Sequence, residues 1–98
     1  MRPVLHGDVA SAARALLAVP RAQRDALCVR MIREAGIASR HVQRTGRIHL
    51  LFGNGSLMSA ARKRVLADEP GFDDVEYCQC FETVLRAVVR ARLSRTRS

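Results

Sequence analysis

Six side chains in this sequence are of types that bind transition metals: His6, Cys28, His41, His49, Cys78 and Cys80. A tetrahedral zinc site needs four such groups converging on one point. No C-x2-C pair is present to start one. Cys78 and Cys80 are two residues apart, and in a helix that spacing turns them about 200° from each other. One ion cannot take both thiols unless the helix unwinds, so no metal and no cofactor is expected. Nucleophilic catalysis needs a Cys or Ser beside a base, with donors for the oxyanion. No local pattern joins such groups, and Asp73-Asp74 stand where a helix cap is expected. The expectation is a protein that is not an enzyme.

Binding chemistry is better represented. Gly53-Asn54-Gly55-Ser56 places two glycines, which tolerate positive φ, just before a helix start. Consecutive amides there can form an anion-binding nest. The Gly-Lys-Ser/Thr ending of a P-loop and the G-x-G-x-x-G spacing of a dinucleotide fold are both missing. The same four residues also make an ordinary tight turn with a cap. Arg40-His41-Val42-Gln43-Arg44-Thr45-Gly46-Arg47 joins three arginines to polar donors, and Arg62-Lys63-Arg64 forms a second basic run. Arg40, Arg44, Arg47, Arg62, Lys63 and Arg64 are therefore the candidate phosphate contacts.

The chain-wide balance agrees. Its 98 residues carry 17 Lys+Arg against 9 Asp+Glu, a formal charge of +8, and only Lys63 is lysine. Arginine makes bidentate contacts to phosphate and guanine that lysine cannot. Aromatic residues are 4% and tryptophan is absent, which disfavours base stacking on an aromatic platform. Duplex DNA, a protein partner or a second copy of the chain remain as partners. Apolar runs are too short to span a bilayer, and no helix pairs a cationic face with aromatic anchors. No apolar leader opens the chain, and three cysteines are an odd count, so a reducing cytoplasm is expected.

These groups must be carried by helices. Hydrophobic residues are 48%, and their spacing is helical. The pattern predicts an all-α fold: a small four-helix domain over residues 1–98, with a long loop between helices 2 and 3. Asp8 is the expected cap of a first helix over 9–19, with Val9, Ala12, Ala13, Leu16 and Leu17 on one stripe. Pro20 is expected at the first position of the second helix, whose stripe is Leu27, Cys28, Met31, Ile32 and Ala35. Gly36 is a candidate stop, with a run toward His41 as the alternative. Residues 43–55 read as irregular. Ser56 or Asn54 caps a third helix reaching about Leu66, with Leu57, Met58, Ala61 and Val65 inward. Asp73 or Asp74 caps the last helix, whose core stripe is Tyr77, Cys78, Phe81, Leu85, Val88 and Val89. A frayed basic tail is expected at about 94–98.

Charge is segregated. Residues 1–64 hold 12 basic and 3 acidic groups, residues 65–85 six acidic and no basic ones, and residues 86–98 five basic and no acidic ones. Met1-Arg2-Pro3-Val4-Leu5-His6-Gly7-Asp8, Gly46-Arg47-Ile48-His49 and Gly53-Asn54-Gly55-Ser56-Leu57-Met58 resemble a family of short uncharacterised alphaproteobacterial proteins. That family is associated with control of phage-like gene transfer agents. The resemblance spans nearly the whole chain and implies a bacterial cytoplasmic protein with a regulatory or phage-related role. It brings no established catalytic residues to this chain. The leading expectation is a small basic DNA-associated regulatory protein acting through arginine–phosphate contacts. The alternative is a helical adaptor in a transcription or phage-like assembly complex.

Overall fold

The structure is a computed structural model that describes residues 2–97, with side chains described through Ser94. Among the described residues there are four α-helices: α1 (His6–Leu17), α2 (Arg24–Thr45), α3 (Leu57–Arg62) and α4 (Val75–Arg97). A 3-10 turn, Arg21–Gln23, joins α1 to α2. No strand occurs among these residues, and a single bridge pairs His49 with Gly53. The all-α expectation and the long loop before the third helix both hold.

Helix α1 is the central element and packs against the other three. Its alanines, Ala10, Ala12, Ala13 and Ala15, are buried, so neighbouring backbones approach closely. It begins earlier than the sequence predicts, because Asp8 is not its cap. Leu5 holds that position, and Asp8 sits in the first turn with its carboxylate buried. Asp8 Oδ2 accepts from the Leu5 amide and Oδ1 from the Met58 amide, both at 2.9 Å. One carboxylate thus serves unpaired amides at the starts of two helices, α1 and α3.

Pro20 does not open α2. Its carbonyl accepts from the Gln23 amide at 2.9 Å and closes the 3-10 turn, and α2 starts at Arg24. Nor does α2 stop at Gly36. A single glycine costs a helix only about 1 kcal/mol relative to alanine, and tertiary packing of Ala35, Ala38 and Ser39, all buried here, outweighs it. The helix ends instead at Gly46, whose φ of 72° is the left-handed C-cap conformation and whose amide donates to Val42 at 2.7 Å. Residues 43–45, expected to be irregular, are therefore helical.

Helix α3 ends at Arg62, short of Leu66, and Val65 is 81% exposed rather than inward. The chain is drawn away by α1: the Ala67 amide donates to the Arg14 carbonyl at 3.1 Å, and Arg14 Nε donates back to the Ala67 carbonyl at 2.7 Å. Helix α4 is capped by Asp74, which accepts from the Tyr77 amide at 2.9 Å. Its buried line is Tyr77, Cys80 and Val84, with Phe81 and Val88 partly covered. Leu85 and Val89, expected in the core, are about half exposed. Cys78 is half-buried and donates to the Phe72 carbonyl at 2.9 Å. The backbone of α4 stays helical to Arg97, through most of the segment expected to fray; Ser98 lies outside the described residues.

Helices α2 and α4 run side by side in the same direction. Arg24 meets Glu76 where both begin, and Arg40 and Gln43 lie across from Ala91 and Arg92 where both approach their ends. This arrangement sorts the charge. The acidic stretch at 68–76 lies at the end where α4 starts, and the arginines of α4 all fall from Arg86 onward, toward the other end, whereas those of α2 are spread along its length.

Candidate nucleic-acid interface

The C-terminal halves of α2 and α4 enclose a cleft of about 290 Å³. Arg33, Arg40 and Gln43 reach it from α2 and Arg92 from α4, over a floor that includes Ile32 and Gly36. None of the described residues lining it carries a carboxylate. Arg92 also donates to the Arg2 carbonyl at 3.1 Å, which ties the N-terminal segment to the same rim. The C-termini of two parallel helices carry partial negative charge. That favours cations within the last turn only, where Arg44 sits on α2.

The six basic residues singled out from sequence fall into three settings. Arg40 lines the cleft. Arg44 and Arg47 are exposed just beyond it, on the last turn of α2 and the following loop. Arg62 and Lys63 are exposed at the end of α3, with Lys63 Nζ 4.7 Å from the centre of the Phe52 ring. Arg64 is committed inward: Nη1 donates to the Ala60 carbonyl at 2.8 Å and Nη2 to Glu34 at 2.9 Å. Sequence reasoning missed Arg33 and Arg92. Arg33, Gly36, Arg40 and Gln43 recur at three- and four-residue steps, which is one helical face. That spacing was the available signal for Arg33. Arg92 had none, because the pairing of α4 with α2 is a tertiary fact.

The Gly53–Ser56 turn has a packing explanation. Gly53 and Gly55 have φ of 84° and 96°. A β-carbon on Gly55 would lie 2.7 Å from Ser39 Cα, so the turn presses directly against the α2 backbone. Three of the four amides of this turn have partners within the protein. The Gly53 amide donates to the His49 carbonyl at 3.1 Å, the Asn54 amide to Ser59 Oγ at 3.4 Å and the Ser56 amide to Asn54 Oδ1 at 2.9 Å. Ser56 is the cap of α3 and accepts from the Ser59 amide at 3.0 Å.

Of the candidate metal ligands, His41 and His49 lie together, with ring centroids 4.9 Å apart. Cys28 and Cys80 are buried, and among the described residues no three His, Cys, Asp or Glu side chains group as a metal would require. Burial, reinforced by Asp25, pushes the Cys28 thiol up to about 11. Burial also raises Cys80 and Tyr77. Cys28 and Cys80 are thereby held as neutral thiols, which are poor nucleophiles. Among the described residues, no helix is long and apolar enough to cross a membrane.

Fold and surface together define a small all-α domain with an arginine-lined cleft at one end and a carboxylate-rich stretch at the other. Residues 2–88 match the family model described as a domain of unknown function, DUF7742, and the chain belongs to that family. The match ends before Arg92, so it covers the α2 wall of the cleft but not all of the α4 wall. No curated protein and no solved structure matches the chain.

Proposed function

We propose that this domain binds duplex DNA through arginine–phosphate contacts at the C-terminal end of the α2–α4 pair. The observation that carries the reading is the cleft's α2 wall: the exposed Arg33 and Arg40 line it together with Gln43, facing α4, and no carboxylate is among its described lining residues. Arg44 and Arg47 extend the positive surface onto the loop. Guanidinium groups grip phosphate oxygens in pairs and fix orientation without reading sequence. A domain of charge +8 is also steered toward a polyanion before contact. The reading is of a cytoplasmic regulatory protein. In keeping with the resemblance of its motifs to an alphaproteobacterial family, it extends to control of a phage-like gene transfer agent.

A second reading rests on a different surface. A broad cleft of about 780 Å³ lies beside the 3-10 turn, floored by Ala15, Ala18, Ala22, Ala26 and Leu27, with Val65 on its edge. Small apolar residues of this kind accept a helix at close range, as an adaptor would require.

Fluorescence anisotropy with a labelled duplex of about 25 base pairs separates the two. The DNA reading expects binding at about 50 mM salt whose log affinity falls linearly with log salt, by about 0.9 per phosphate neutralised. Absence of binding at that salt removes the DNA reading and leaves the adaptor.

A further inference from the structure

Between α2 and α3 the loop ends in a small apolar tip. Ile48 is 66% exposed, Leu50 100% and Leu51 64%. Leu50 covers nothing in the chain and Ile48 and Leu51 are mostly uncovered, yet the loop that carries them is internally hydrogen-bonded. His49 and Gly53 exchange two backbone hydrogen bonds, at 2.9 and 3.1 Å. His49 Nδ1 accepts from the Leu51 and Phe52 amides at 3.0 and 3.1 Å. Its ring stacks on Phe52, with centroids 4.8 Å apart, and meets His41 edge-on at 4.9 Å. The histidine thus braces the turn from within while the aliphatic residues on either side of it face outward.

The surroundings are cationic. Arg44, Arg47, Arg62 and Lys63 are exposed on the elements that flank the loop. Residues 35–67 contain no acidic residue at all. A braced aliphatic tip flanked in the chain by exposed cations, with no acidic residue between 35 and 67, fits an anionic surface that opens to admit two side chains. We infer that Leu50 and Leu51 form a wedge that enters the minor groove of duplex DNA and partly unstacks a base step, bending the duplex. This rests on the duplex-binding reading above and adds a deformation to it. Minor-groove wedges are commonly Leu, Ile, Phe, Met or Pro flanked by basic side chains on neighbouring phosphates. A bilayer is the weaker match, since the tip carries no Trp or Tyr to sit at the headgroup level. Preordering of the turn lowers the entropy lost on insertion.

The test uses a duplex of about 30 base pairs with a donor and an acceptor dye at its two ends, and the full chain. The wild type is expected to raise energy transfer on binding. The double variant Leu50→Ser, Leu51→Ser changes only exposed side chains, so its helicity and melting temperature are expected to match the wild type. It is expected to bind with the same salt slope, to lose affinity by no more than about tenfold, and to leave energy transfer at the level of free DNA. Wild-type binding without increased transfer overturns the wedge and leaves phosphate binding standing, as does a double variant that bends DNA like the wild type. Failure of the wild type to bind any duplex at about 50 mM salt overturns the underlying reading and the wedge with it. Tight binding to phosphatidylserine vesicles that the double variant loses, without duplex bending, assigns the tip to a bilayer and overturns the wedge.

Discussion

Where α2 and α4 begin, Arg24 is 9% exposed. Its Nε donates to the Leu16 and Val19 carbonyls at 2.8 and 3.2 Å, and Nη2 reaches Glu76 at 2.6 Å. Where the same two helices approach their ends, Arg40 is exposed and borders an open cleft with Arg33 and Arg92. The residue type is the same and the helices are the same, but the surroundings differ. At the first end the carbonyls left over at the C-terminus of α1 need donors, and a carboxylate stands by to balance the charge. At the second end no carboxylate is among the described residues that line the cleft, and Arg33 and Arg40 are exposed rather than enclosed. A count of arginines therefore overstates the surface available to a polyanion. Arg14, Arg24 and Arg92 each donate to a backbone carbonyl of another part of the chain, and Arg64 joins α3 to α2 through Glu34.

The contrast can be broken most sharply at Arg24. Arg24→Ala strips buried carbonyls of their donor and leaves Glu76 without its partner. It is expected to lower unfolding free energy by about 3 kcal/mol, at the lower end of the range for a broken buried pair because Glu76 is half exposed. Urea denaturation measures this, and a loss under about 1 kcal/mol would show that the first end is not the structural one. Gly55→Ala comes next. The positive φ and the 2.7 Å approach to Ser39 Cα both oppose a β-carbon. The expected cost is about 2–3 kcal/mol, and an unchanged midpoint would mean the turn is not pinned to α2.

Helical periodicity made the element types and the α3 cap legible, and the Asp73-Asp74 pair marked the start of α4. What it could not resolve was which of two apolar lines on α4 turns inward. Tyr77, Cys80 and Val84 form one, Leu85, Val89 and Leu93 the other, and both have helical spacing. The choice is made by α1 and α2, which pack against only one side. The same limit hid Asp8: its role depends on the Met58 amide, fifty residues away. The candidate site was half legible. Arg40, Arg44 and Arg47 stood out as a run, whereas Arg64 has the same local look and is held inward by Glu34.

A pH series sharpens the account of the buried thiols. The Cys28 thiol rises from 9.0 in its ordinary state to about 11 when folded. A group whose folded value is raised adds stability that is fully present below the unfolded value and disappears as pH climbs through the folded one. Between pH 9 and 11 the wild type is therefore expected to lose on the order of 2 kcal/mol that Cys28→Ala does not lose. Parallel pH profiles for the two proteins would contradict this. The smallest expected effect belongs to the other end of the helix pair. Arg40→Ala should change stability by no more than about 0.5 kcal/mol, as exposed substitutions usually do, and a larger loss by thermal melting would mean that Arg40 is structural after all.

The most direct test of the division between the two ends is the salt slope of duplex binding by the triple variant Arg40→Gln, Arg44→Gln, Arg47→Gln, set beside that of the wild type. If these arginines neutralise one phosphate each, the variant keeps its melting temperature, binds more weakly, and shows a log–log slope shallower by about three units. An unchanged slope and affinity would contradict the account, because the exposed arginines at this end would then take no part in holding DNA.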